Sequence, residues 1–296
     1  MQTAVRTLGL CKSYRGKAAV DHLDMQVPQG EIYGFIGANG AGKSTTFKLL
    51  AGLAKPTAGQ IEIFGQPSKQ GTFSRRVGIL IEDAGLYGSL SARDNCLLKA
   101  KLLGLDDEKS AVDRVLAQVG LEKMGKKAAK RFSMGQRRRL GLALALLGDP
   151  DLLLLDEPSN GLDPEGIRDV RLLLQQLQAE RGVTVLVSSH ILGELEKFAT
   201  CYGIIRDGHM VEQITAEALS AQCRDYIALQ TRTLTVRRLC WKKNCTCTTI
   251  PCARKGSCAS MTPPTPPGST PPCWKAARRC SPSVSTDRNW KITFCR

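Results

Sequence analysis

The sequence predicts an α/β fold: a mostly parallel sheet around a phosphate-holding loop, an antiparallel β-subdomain at the start, a helical subdomain at about 91–147 and a disordered C-terminal tail. Three observations predict it. The run Glu31-Ile32-Tyr33-Gly34-Phe35-Ile36 passes directly into a glycine-rich loop and then into helical spacing. The four leucines of Asp151-Leu152-Leu153-Leu154-Leu155-Asp156 suit a parallel strand buried on both faces. Periodicity and charge balance both break after about Gln230.

Residues 3–27 alternate apolar and polar positions and predict antiparallel strands, turning at Tyr14-Arg15-Gly16-Lys17. After the strand at 31–36 comes Gly37-Ala38-Asn39-Gly40-Ala41-Gly42-Lys43-Ser44-Thr45, followed by Phe47, Leu49, Leu50 and Leu53 at helical spacing. Strand, loop and helix are the context that the pattern G-x-x-x-x-G-K-[ST] requires. Glycines let backbone N–H groups crowd round phosphates, and the helix start adds partial positive charge. Lys43 is expected to reach the β- and γ-phosphates, and the Ser44 hydroxyl to ligate Mg²⁺.

The stretch from Ser91 to about Leu147 reads as mostly helical and ends in Phe132-Ser133-Met134-Gly135-Gln136-Arg137-Arg138-Arg139. A small polar residue and a glycine opening a helix make an anion-binding start. The arginine run reads by default as a solvated face. The leucine strand then ends in Asp156-Glu157-Pro158, and acids at the carboxyl end of such a strand point into the ligand crevice of an open α/β sheet. Asp156 is expected to hold Mg²⁺, directly or through water, and Glu157 to polarise an attacking water.

The chain has 42 Lys and Arg against 27 Asp and Glu. Thirteen of those bases and a single acid, Asp287, lie beyond residue 230, so +12 of the formal +15 belongs to the tail. The basic pI therefore says little about what the main body binds. The longest apolar stretches, Leu140–Leu147 and Leu152–Leu155, fall short of the ~20 residues of a membrane-spanning helix. No secretory signal is read at the start.

With these motifs in this order, residues 1–230 resemble the ATP-binding subunit of an ABC transporter across their length. Phe132 to Gln136 matches the family's Leu-Ser-Gly-Gly-Gln signature, with Met134 in place of a glycine. Gly161-Leu162-Asp163 resembles its D-loop, and Ser188-Ser189-His190, after a strand at 183–187, its switch histidine. Tyr14 falls where an aromatic stacks on adenine, and Gly59-Gln60-Ile61 resembles the strand entry after the first helix. The resemblance implies a P-loop NTPase with a RecA-like sheet. It also implies ATP and Mg²⁺ as cofactors, and hydrolysis completed by dimerisation. Ser133, Gly135 and Gln136 of one subunit would meet nucleotide held by Lys43, Asp156, Glu157 and His190 of another, with Asp163 beside them.

Glu82 stands where the family has glutamine, near the metal or its waters. The stretch Leu80–Tyr87 and the Met134 signature are similar to drug, bacitracin and lantibiotic exporters. The resemblance further implies a homodimer or heterodimer of ATP-binding subunits docked through the helical stretch and the loop from Glu82 to Leu90. It implies a separate transmembrane permease as partner, with this chain held peripherally through it at the cytoplasmic face of the membrane, and no nucleic acid is expected. His22 and His209 receive no role. A non-transport ABC ATPase and a catalytically impaired nucleotide sensor stay open beside the transporter reading.

The tail carries 8 of the 12 cysteines and the run Met261-Thr262-Pro263-Pro264-Thr265-Pro266-Pro267-Gly268. A zinc site, a disulfide module and a basic arm for acidic lipids or RNA compete with a fourth reading, translation in a shifted frame from near Thr231. Read from each codon's third base, Cys240-Trp241-Lys242 and Cys273-Trp274-Lys275 both become Leu-Glu whatever synonymous codons are used. The tail is therefore expected to be disordered and without function.

Overall fold

The computed structural model describes residues 2–68, 75–81, 85–222, 227–230 and 258–261. Strands β1 (Thr3–Tyr14) and β2 (Lys17–Pro28) form the expected hairpin, turning at Arg15-Gly16. Strand β3 (Ile32–Ile36) leads through the glycine-rich loop into α1 (Lys43–Leu50). Leu53 lies beyond the end of α1 and is 53 % exposed, so the helical spacing was over-read by one turn. Strands β4 (Ala58–Ile63) and β5 (Gln66–Pro67) complete a four-stranded antiparallel sheet in the order β2-β1-β4-β5.

Strand β6 (Val77–Leu80) precedes the helical subdomain of α2 (Ala92–Leu103), α3 (Glu108–Gln118) and α4 (Met134–Leu146). Side chains cap these helices. Ser91, Asp107 and Ser133 each accept a backbone N–H three residues on, satisfying donors that a helix start leaves open. Strand β7 (Leu152–Asp156), α5 (Pro164–Arg181), β8 (Thr184–Ser189), α6 (Leu192–Leu195), β9 (Cys201–Arg206), β10 (His209–Thr215) and α7 (Ala216–Gln222) follow.

The second sheet runs β10-β9-β3-β8-β7-β6. Every pairing from β9 through β3, β8 and β7 to β6 is parallel, and only the β9–β10 hairpin is antiparallel. Burial explains the leucine run: Leu152 to Leu155 are all fully buried, as a strand covered on both faces demands. One apolar core joins the two sheets, with Leu10, Val20, Leu23 and Met25 packed with Phe35, Phe47, Leu154 and Leu186. Burying each such side chain contributes about 1.5–3 kcal/mol. Helix α4 approaches β6 so closely that a Cβ at Gly78 would lie 2.1 Å from the Ala145 carbonyl oxygen.

Contacts divide the chain into Met1–Ala218 and Leu219–Arg296. In the second unit, strands β11 (Ile227–Gln230) and β12 (Cys258–Met261) pair antiparallel. Strand β11 lies just before the segment expected to be disordered and β12 within it. The rest of the tail, and Glu82, lie outside the described residues.

Candidate functional site

The glycine-rich loop is built by close approach. Gly42, the residue before α1, has φ 108°, a left-handed conformation open chiefly to glycine, and a Cβ there would lie 2.5 Å from the Ala19 carbonyl oxygen. A Cβ on Gly37 would lie 2.6 Å from the Ile205 carbonyl oxygen. No side chain caps α1, so its first N–H groups, in the stretch that includes Ser44 and Thr45, are left for an anion. Lys43 is 5 % exposed, and its Nζ donates to the carbonyl oxygens of Gly37 at 2.8 Å and Ala38 at 3.2 Å. The ammonium thus sits across the loop that Asn39, Gly40 and Ala41 complete.

Strands β7 and β8 bring the acids to the same end. The Ser188 hydroxyl donates to Asp156 Oδ1 at 2.5 Å and accepts from the Glu157 N–H at 2.9 Å. Glu157 has φ 48°, and its Oε1 lies 3.7 Å from Lys43 Nζ and 3.2 Å from His190 Nδ1. Lys43, at the start of α1, and His190, just beyond β8, therefore converge on one carboxylate oxygen of Glu157, just beyond β7. Ser159 donates to Glu194 at 2.8 Å, tying the loop after β7 to α6, just beyond His190.

The start of α4 is a second centre. Ser133 Oγ accepts from the Gln136 N–H at 3.2 Å, and Gln136 Oε1 accepts from the Ser133 N–H at 3.1 Å, a reciprocal cap. Ser133 and Met134 are exposed. Met134, where a glycine was expected, lies over Gly161, since a Cβ there would be 2.2 Å from its sulfur. Asp163 accepts the Gly166 N–H at 3.0 Å and caps α5. Tyr14 is 47 % exposed at the end of β1, with the Lys12 ammonium 4.9 Å from its ring centre.

Reading the arginine run as a solvated face was wrong for Arg138. Its guanidinium donates to the Asp156 carbonyl oxygen and, at 2.5 Å, to that of Glu157. Sequence reasoning missed this residue, because helical spacing alone does not choose among three consecutive arginines. It also missed Ser188 as the bridge between the two acids, although the Ser-Ser-His run lay in view.

The donors suit a magnesium–nucleotide complex. The loop is a cradle that a Cβ at Gly37 or Gly42 would obstruct, its lysine is aimed inward, and a hydroxyl at Ser44 and a carboxylate at Asp156 would be hard oxygen ligands for the ion.

A family model described as "ABC transporter" matches residues 20–160. The bacitracin transport ATP-binding protein BcrA of Bacillus licheniformis is 47 % identical over 232 residues, covering 78 % of this chain and 76 % of that protein. The lantibiotic transport ATP-binding protein SrtF of Streptococcus pyogenes is 41 % identical over 202 residues, covering 68 % of this chain and 86 % of its own. Among solved structures, an ATP-binding subunit of an ABC transporter is 29 % identical with a TM-score of 0.67, covering 74 % of this chain and 93 % of its own. A dimeric ATP-binding cassette bound to ADP and Pi shares the fold at 23 % identity and TM-score 0.66, covering 72 % of this chain and 98 % of its own.

Proposed function

The chain belongs to the ABC transporter family as an ATP-hydrolysing subunit that powers transport, and from that premise we propose that two ATP-binding subunits close face to face over nucleotide. The observation that carries the reading is the convergence of Lys43 and His190 on Glu157 Oε1.

Phosphoryl transfer needs positioning and charge stabilisation more than covalent chemistry. Lys43 exchanges the carbonyls of Gly37 and Ala38 for phosphate oxygens, and the N–H groups from Gly40 to Thr45 surround them. Ser44 and Asp156 would hold Mg²⁺, with Glu82 assigned to the same site by the resemblance, and the ion would supply positive charge against the phosphates. Glu157 accepts the proton of the attacking water, and His190, hydrogen-bonded to it, fixes that water's direction. Tyr14 stacks on the base. Ser133, Gly135 and Gln136 of the opposite subunit present the start of α4 to the γ-phosphate, with Asp163 at the shared face. Each subunit thus lacks donors that the other supplies, and hydrolysis waits for assembly.

The cargo is a peptide antibiotic or similar amphiphile, carried outward by a separate permease on which the helical subdomain docks at the cytoplasmic face. Identities of 47 % and 41 % to bacitracin and lantibiotic transport proteins support that reading. Among the described residues no helix is long and apolar enough to cross a membrane. Residues 1–230 carry the function and the tail beyond them none.

The test is co-expression with the permease in a bacitracin-sensitive host. Resistance that disappears with Glu157→Gln is expected. Resistance unchanged by that substitution would contradict the export reading.

A further inference from the structure

We propose that Cys11, Asp21 and His22, with His209 beside them, form a binding site for a zinc-like divalent transition metal, where the β1–β2 hairpin meets the start of β10 and apart from the residues assigned to ATP. The site begins with an irregularity in a strand pair. Leu10 pairs with Leu23, but Lys12 pairs with Val20, so the single residue Cys11 stands opposite two, Asp21 and His22. A bulge of this kind re-aims side chains that would otherwise alternate between faces. Here it turns both Asp21 and His22 toward the thiol. His22 has φ 46°, a left-handed conformation that is unfavourable for a non-glycine residue and signals constraint.

The donor atoms are already gathered. The sulfur, carboxylate oxygen and imidazole nitrogen of Cys11, Asp21 and His22 all lie within 4.8 Å of one another. Asp21 Oδ1 is 2.6 Å from His22 Nδ1 and 4.0 Å from Cys11 Sγ. The other oxygen, Oδ2, is 3.5 Å from His209 Nε2 at the start of β10. That spacing is long for a hydrogen bond. It matches the ~3.3–3.6 Å between two ligand atoms on one tetrahedral zinc, given bonds of ~2.0–2.3 Å, whereas the 2.6 Å between Asp21 Oδ1 and His22 Nδ1 is a hydrogen bond that a bound ion would replace by turning the exposed imidazole. One sulfur, one carboxylate and one imidazole make a three-donor set of the borderline character that zinc and cobalt prefer, and the His209 imidazole, beside the second Asp21 oxygen, is the fourth donor we assign to it. The His22 N–H donates to Cys11 Sγ at 3.3 Å, an outer-shell hydrogen bond that would stabilise a metal-bound thiolate. The side chains of His22 and His209 are 78 % and 55 % exposed, so an ion reaches them from solvent.

The cluster is wired to the phosphate loop. The Asp21 N–H donates to the Gly208 carbonyl at 2.9 Å, and the Gly208 N–H donates to the Ala41 carbonyl at 3.0 Å. A bound ion would pin the bulge and, through these two bonds, the loop that holds the nucleotide.

The experiment titrates Co²⁺ into the metal-free full-length chain without nucleotide, which would chelate the ion. The eight tail cysteines are replaced by serine so that they cannot contribute. The expected result is one equivalent bound with a near-ultraviolet thiolate-to-cobalt charge-transfer band, reversed by Zn²⁺. Cys11→Ser should abolish the band, and His22→Ala and His209→Ala should each weaken binding by about tenfold or more. Circular dichroism should match the parent in all three variants. Zn²⁺ should raise the melting temperature of the parent but not of Cys11→Ser. A parent that takes up no cobalt, a band that survives Cys11→Ser, or affinity indifferent to either histidine would overturn the proposal.

Discussion

The Arg138 guanidinium, on the helix that opens with Ser133, donates to the Glu157 carbonyl oxygen at 2.5 Å and also to that of Asp156. Helix α4 is therefore fastened to the backbone of the two acids in its own subunit. In the proposed dimer the start of that helix serves the opposite nucleotide. A shift of α4 on closure would then move Glu157 in the other site, which offers a physical route for making the two sites act together.

Arg138→Ala should lower kcat by about ten- to a hundredfold, the loss of charge-assisted hydrogen bonds of about 1.5–3 kcal/mol. KM for ATP should stay within about twofold, since Arg138 reaches the backbone carbonyls of Asp156 and Glu157 and not the side chains assigned to the nucleotide. Arg138→Lys should recover part of the rate. A rise in KM with kcat unchanged would place Arg138 in binding instead.

Glu157→Gln should bind ATP as tightly as the parent while turnover falls by about 10²–10⁴, the range for removing a general base. Steady-state hydrolysis at saturating ATP, beside a nucleotide-binding titration, checks this. Parental turnover would remove Glu157 from the role.

Lys43→Ala should weaken nucleotide binding by about 1.5–3 kcal/mol, because its ammonium loses charge-assisted contacts to phosphate. Calorimetric titration with a non-hydrolysable ATP analogue reads the change directly.

Gly78→Ala should lower the melting temperature by about 5 °C or more, because its Cβ would press on the Ala145 carbonyl rather than on a side chain that can rotate away. An unchanged melting temperature would mean that α4 does not sit on β6 as described.

Burial pushes the thiols of Cys96 and Cys201 up from 9.0, to about 12 and about 11. Both should resist alkylation at pH 8 in the folded protein and react once it is unfolded. In the unfolded chain the thiols give up their protons near the ordinary value, whereas the folded ones keep them. Stability contributed by these groups is thus fully present below about pH 9 and is lost as pH rises toward 11–12. Urea midpoints measured across that range should fall, and a flat profile would speak against the burial of both thiols.

The main elements of the fold were legible because their signals are local. The Leu152–Leu155 run can be little other than a doubly covered strand, and a loop with Gly37, Gly42 and Lys43 between strand and helix leaves few alternatives. Legibility ended where a property depends on which strands become neighbours. Arg138 reads like Arg137 and Arg139 until β7 lies beside α4. Cys11, Asp21, His22 and His209 looked unrelated because they meet only through a one-residue irregularity in the β1–β2 ladder and the return of β10. The Met134 departure likewise acquires a reason only when Gly161 is found beneath it.

The account stands on two subunits each completing the other's site. Sedimentation velocity of Glu157→Gln, with and without Mg·ATP, tests this most directly. The account predicts a monomer without nucleotide and a stable dimer of twice the mass with it, returning to monomer when Ser133→Arg is added. A particle that remains monomeric at saturating Mg·ATP would contradict it.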